Sequence, residues 1–141
     1  MAAVTGFICA LMIVAPLMTH CGSSAAAIVY LFFSPICHQI PERSFAVLGH
    51  PVAVCHRCSG IYLGLFLGSF IENNFLHRSP RIRRIWVLSA MTPLLLDLML
   101  PLTGIWAGTY STRFFTGLIF GMMAVWLVVR GTEELSNEQE M

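Results

Sequence analysis

Five apolar stretches that carry almost no charge decide what this chain can be. They run from about Val4 to Thr19, Ser24 to Ile36, Gly60 to Phe75, Ile85 to Leu102 and Phe114 to Val129, and their charged residues are Glu72 and Asp97. Hydrophobic residues make up 57% of the 141 and charged residues 11%, against about 25% charged in a soluble domain. A globule this small could not bury so much apolar surface in water. A bilayer solvates it instead. A backbone in lipid must satisfy its own polar groups, so the stretches are predicted to be helices. The expectation is an all-α membrane protein: one compact bundle of five transmembrane helices over residues 1–130. The second stretch is short, and a four-span bundle with residues 24–36 as a re-entrant half-helix is the alternative.

Polar breaks separate the stretches. His20 to Ser24 is a tight turn, Pro35 to Ser59 a long loop, Arg78-Ser79-Pro80-Arg81 a short turn, and Gly104 to Thr112 the last turn. Residues 131–141 are polar and are expected to be a disordered tail. All eight basic residues are arginine, and Arg78, Arg81, Arg83 and Arg84 fall together. The positive-inside rule places that turn in the cytoplasm. Alternation then puts the long loop outside and the C-terminal tail inside. No basic flank precedes the first stretch, so it is read as part of the fold rather than as a signal peptide. The net charge of +1 gives no reason to expect nucleic acid as a partner; the lipid bilayer is the expected one.

Small residues form two ridges, Gly60-Gly64-Gly68 in the third stretch and Gly117-Gly121 in the fifth. Such ridges let backbones approach closely, so the third and fifth helices are predicted to touch. The same ridges could serve a homo-oligomer.

The chemistry is concentrated in the long loop. It contains Cys37-His38-Gln39, then Arg43, His50 and Cys55-His56-Arg57-Cys58. Two cysteines three apart can aim at one centre, and Cys37 can join them if the loop folds back. Cys37, Cys55 and Cys58 with His38, or His50 in its place, would make a Cys3His set for a transition metal, with zinc first. Cys58 lies at a helix start, where the dipole favours thiolate. That also suits a membrane thiol–disulfide oxidoreductase, in which Cys55 and Cys58 exchange electrons with a quinone and Cys37 resolves. A non-catalytic assembly or partner subunit is the third reading. Whether the chain is an enzyme stays open, as does any small-molecule substrate. If it is one, the catalytic candidates are Asp97, Cys58 and Arg43. Asp97 lies deep in a span, where a carboxylate is costly and faces inward. Its expected partners are Thr92, Thr103 or Arg113. Arg43 is expected to pair with Glu42 or cap a helix. Trp86, Trp106, Tyr110 and Trp126 fit an aromatic belt.

The pattern Cys37-His38-Gln39, Arg43-Ser44-Phe45, Cys55-x-Arg57-Cys58-Ser59-Gly60-Ile61-Tyr62-x-Gly64 resembles the predicted membrane proteins grouped as domain of unknown function 2085. Asp97, Ser111-Thr112-x-Phe114 and Thr116-Gly117-Leu118-x-Phe120-Gly121 fit as well. The resemblance covers roughly residues 28–125. It implies a small integral protein of a prokaryotic cytoplasmic membrane and names no reaction.

Overall fold

The computed structural model describes residues 2–76, 80–104 and 108–139, with side chains described except over 71–84, 86–87, 102 and from 126 onward. The arginine cluster at 78–84 and Trp86, Trp106 and Trp126, on which the expectations of sidedness and belt rest, lie outside the described side chains.

The chain is mostly helical, with helices α1 (Ala2–His20), α2 (Ala26–Phe33), α3 (His56–Leu76), α4 (Pro80–Met99) and α5 (Tyr110–Gln139). Between α2 and α3 lie a 3-10 turn (Pro41–Arg43) and two strands, β1 (Ser44–Val47) and β2 (His50–Cys55). The helix count matches the five stretches, but five spans are not supported. α1 is the one helix, among the described residues, long and apolar enough to cross a membrane; Leu88–Met99 is a shorter apolar stretch. The eight residues of α2 rise only about 12 Å, far short of an apolar layer roughly 30 Å thick. α5 continues as helix to Gln139, into the stretch where a disordered tail was expected from residue 131.

Residues 35–59 are not a plain loop. β1 and β2 form an antiparallel hairpin pairing Val47 with His50 and Ser44 with Cys55. Its two connecting residues, Leu48 and Gly49, both have positive φ, at 52° and 81°. That is the geometry that suits the right-handed twist of a two-residue hairpin. The register shifts between Ser44 and Ala46, where Phe45 of β1 faces three residues of β2, Val52 to Val54.

α1 ends in a Schellman motif: Ser23 N–H donates to the Met18 carbonyl and Gly22 N–H to that of Thr19, with Gly22 at φ 71°. This turns the chain directly into α2, which packs back on α1. Met12, Ala15, Phe33, Cys37, Ala53 and Val54 form the buried core, from α1, the end of α2 and β2. The core therefore sits at one end, beneath the hairpin. Large apolar side chains elsewhere face outward, among them Phe7, Leu31, Phe70, Leu88 and Phe115.

α3 and α5 form the most extensive contact in the molecule, as the glycine ridges predict. A Cβ at Gly60 would strike the Phe114 carbonyl oxygen, one at Gly64 that of Leu118, and one at Gly121 that of Ile61. At Gly68 it would lie 2.8 Å from the Met122 carbonyl oxygen. These obstacles are backbone, which cannot rotate away. Gly64→Ile should therefore destabilise the protein by at least the overpacking scale of about 1–3 kcal/mol. The measurement is the melting temperature in detergent; a value equal to that of the parent would show that the helices do not meet at Gly64.

Candidate metal centre

Three elements deliver three sulfurs to one point. Cys37 follows α2, and its N–H still donates to the Phe33 carbonyl at 2.9 Å, which prolongs the helical turn just far enough to aim the side chain inward. Cys55 is the last residue of β2, and Cys58 lies in the first turn of α3. Their three Sγ atoms lie within 4.8 Å of one another. Cys37 is 4% exposed, and Cys55 and Cys58 are half-buried. All are free thiols.

Backbone amides are aimed at these sulfurs. Cys55 N–H donates to Cys37 Sγ at 3.2 Å. The Cys55 sulfur accepts from the amides of Arg57 and Cys58, so it occupies the place of a helix N-cap. The Cys55 thiol is pushed well below its ordinary pKa, first by hydrogen bonds from the Cys37 and Cys58 thiols and further by these amides, against the opposing effect of burial. Such N–H···S bonds tune the electronics of sulfur ligands.

Gln39 makes the convergence possible. Its Nε2 donates to the Tyr30 carbonyl at 2.7 Å and to the Ala53 carbonyl at 2.9 Å. The first is on α2 and the second on β2, so one side chain clamps the strand to the helix that precedes Cys37. Gln39 holds φ 50° to do so. Tyr30 reinforces the clamp by donating its hydroxyl to the Pro51 carbonyl at 2.5 Å. Sequence reasoning gave Gln39 no role. Its place in the Cys37-His38-Gln39 motif, two residues after a candidate ligand, was the hint.

The histidines fall differently. The three-sulfur group includes no histidine among the described residues. His38 is exposed and lines a cavity of about 340 Å³ that also touches all three cysteines. His50 sits against His20, with ring centroids 5.9 Å apart. His56 packs edge-on to Phe45 at 4.3 Å. It is not part of the three-sulfur group.

Asp97 is 6% exposed and finds partners other than the two expected threonines. The hydroxyls of Thr92 and Thr103 donate to carbonyls of their own turns, Leu88 at 2.9 Å and Leu100 at 2.7 Å, which satisfies them locally. The Asp97 carboxylate forms an ion pair with Arg57, which also donates to the Asp97 carbonyl at 3.1 Å. Thr112 donates to the other carboxylate oxygen at 3.3 Å. The residue between the two C-x-x-C cysteines thus ties α3 to α4 and, through Thr112, to α5. Arg43 was expected to pair with Glu42; among the described residues it makes no ion pair.

The model of a family described as predicted membrane protein, domain of unknown function 2085, matches residues 37–127. The chain belongs to this family. An uncharacterised protein of Methanocaldococcus jannaschii is 38% identical over 104 residues, 72% of this chain and 66% of the relative. The chain thus spans a little under two thirds of that relative's length. An uncharacterised protein of Methanothermobacter thermautotrophicus is 34% identical over 94 residues, 67% of this chain and 85% of the relative. No solved structure matches the chain significantly. The family match opens at Cys37 and takes in Gln39, both C-x-x-C cysteines, Arg57, Asp97 and Thr112.

Two outcomes follow. Gln39→Leu keeps the shape but removes two hydrogen bonds, leaving the Tyr30 carbonyl to the Ser34 N–H, and should destabilise the protein by about 1–3 kcal/mol; hydrogen exchange should accelerate in β2 first. Arg57→Met alone strands a buried carboxylate and should cost about 3–5 kcal/mol, whereas Arg57→Met with Asp97→Leu should cost clearly less. Thermal melts of the single and double variants measure the difference. Additive losses would mean that the two residues do not act as a pair.

Proposed function

We propose that this membrane protein binds one transition-metal ion through Cys37, Cys55 and Cys58. The observation that carries the reading is the convergence of three sulfurs from three separate elements within 4.8 Å, with backbone amides already directed at two of them. Sulfurs that merely packed would not need amide donors. Thiolate-rich sets select soft or borderline ions, and zinc is the first choice. His38 is the protein group best placed for a fourth position, because it lines the same cavity. With His38 bound the site is closed and structural; with that position open to the cavity it can polarise a bound molecule.

The bundle that carries the site is proposed to have four spans over residues 1–130, formed by α1, α3, α4 and α5, with α2 as a half-helix. The hairpin and its sulfurs lie on the outer side and the end of α5 on the cytoplasmic side, by the placement of arginine. The short α2 supports this count.

A second reading is favoured by the lowered Cys55 thiol and by Cys37 standing within reach of both partners. In it, the pair forms a disulfide and Cys37 resolves it, with a quinone as electron acceptor. One experiment separates the two. Elemental analysis of protein purified without chelators should give about one metal ion per chain, lost in Cys37→Ser and in Cys55→Ser, as expected when a ligand of a small site is removed. Metal-free protein whose intact mass rises by two hydrogens on reduction would reject the metal reading in favour of the disulfide one.

A further inference from the structure

His20 closes α1 and His50 opens β2. Thirty residues apart in sequence, they meet with ring centroids 5.9 Å apart and planes inclined at 63°. We propose that these two histidines form a second metal site, separate from the sulfurs, which takes one exchangeable divalent transition-metal ion of the kind that prefers nitrogen donors: nickel(II), copper(II) or zinc. The two sites stand at opposite ends of one strand. β2 is six residues long, so His50 and Cys55 are roughly 16 Å apart along it. One ion, with bonds of about 2.0–2.3 Å, cannot be shared over that distance. The inference is thus independent of the metal reading at the sulfurs.

Both rings are carried on fixed backbone. His20 is followed by the closed turn of α1, where Cys21 N–H donates to the Leu17 carbonyl at 3.1 Å and Ser23 N–H to that of Met18 at 3.0 Å. His50 follows the tight turn at Leu48 and Gly49 and pairs with Val47. α1 packs against β2, and Met12, Ala15, Ala53 and Val54 from the two elements share one core. Folding itself therefore brings the two imidazoles together, and an ion that binds both has little ordering left to impose. The spacing fits. An imidazole nitrogen binds a divalent ion at about 2.0–2.1 Å, which puts the ring centre about 3.2 Å from the metal. Two rings on one ion then stand about 5.2 Å apart at a tetrahedral angle and about 6.4 Å apart in line. The observed 5.9 Å lies between these limits. The rings are not stacked, so a small side-chain rotation can turn a nitrogen of each toward a shared point. His20 is exposed and His50 half-buried, which opens the pair to ions in solution. Two neutral nitrogens leave the other coordination positions to water, so the ion stays exchangeable. Imidazole suits zinc, copper and nickel, whereas the three sulfurs select softer ions.

The test titrates the untagged full chain, in a neutral detergent, with nickel(II) by calorimetry and near-ultraviolet absorption. One saturable event per chain should appear that adds no sulfur-to-nickel absorption. His20→Gln and His50→Gln should each weaken that event on the order of tenfold or more, because one ring alone cannot chelate. Cys55→Ser should keep it. Saturating nickel ties α1 to β2, so it should raise the melting temperature of the parent and leave that of either histidine variant unchanged. Both histidines lie outside the buried core, so the glutamine variants are expected to fold, and their metal-free melting temperatures check this. Both variants should also retain the metal measured on the protein as purified. Loss of that metal in Cys55→Ser alone bears on the sulfurs and not on the histidines, so failure of either reading is distinguishable from failure of the other. The proposal is overturned if no such event appears, if its absorption is that of a sulfur-bound ion, or if either histidine variant binds nickel as the parent does.

Discussion

The glycine seam between α3 and α5 sets the dimensions of everything at the head of the molecule. Where Gly60, Gly64 and Gly121 meet carbonyl groups of the facing helix, the two backbones lie as close as sterics allow. Close backbone contact of this kind holds helices together by van der Waals packing. The first turns of both helices are drawn in with the rest. Arg57 and Cys58 on α3 then stand opposite Thr112 and Arg113 on α5. Space for a cavity exists there only because the helices are held at one fixed separation below it.

The hairpin completes that head: Val52, Ala53 and Val54 of β2 are buried in the apolar core, and polar contacts pin it further. Gln39 and Tyr30 between them engage carbonyls on α2 and β2. Ser44 adds a further tie, donating to the Ile40 carbonyl at 2.9 Å. These bonds decide that Cys37 faces Cys55 rather than lipid. The helical bundle supplies Cys58 alone; the sulfur cluster depends on a two-stranded structure of only ten residues being pinned to a half-helix.

Much of this was legible in the sequence, and the rest was hidden for identifiable reasons. Apolar length and the absence of charge marked the helices, and four-residue glycine spacing marked which two would pair. The cysteines were picked out by type and spacing. The hairpin was masked by Pro51, which argues against a strand interior, and by a turn opening on Leu48, a residue that rarely takes positive φ. The Arg57–Asp97 pair joins residues forty apart, and nothing local in either segment names its partner. Thr92 and Thr103 looked like better neighbours for Asp97 because they are close in sequence. Five spans lack support because, among the described residues, α1 alone is long and apolar enough, and the apolar run behind α2 is longer in sequence than the helix it forms.

Arg57 occupies an unusual station. It stands between two sulfurs and grips the far end of α4. The C-x-x-C segment is therefore not a free hinge at the mouth of the protein but one arm of a rigid bracket. Anything that pulls the two sulfurs closer or spreads them must also shift a buried carboxylate on another helix. Chemistry at the rim is thus mechanically geared to the interior, and the stiffness of that gearing limits how far the sulfurs can move.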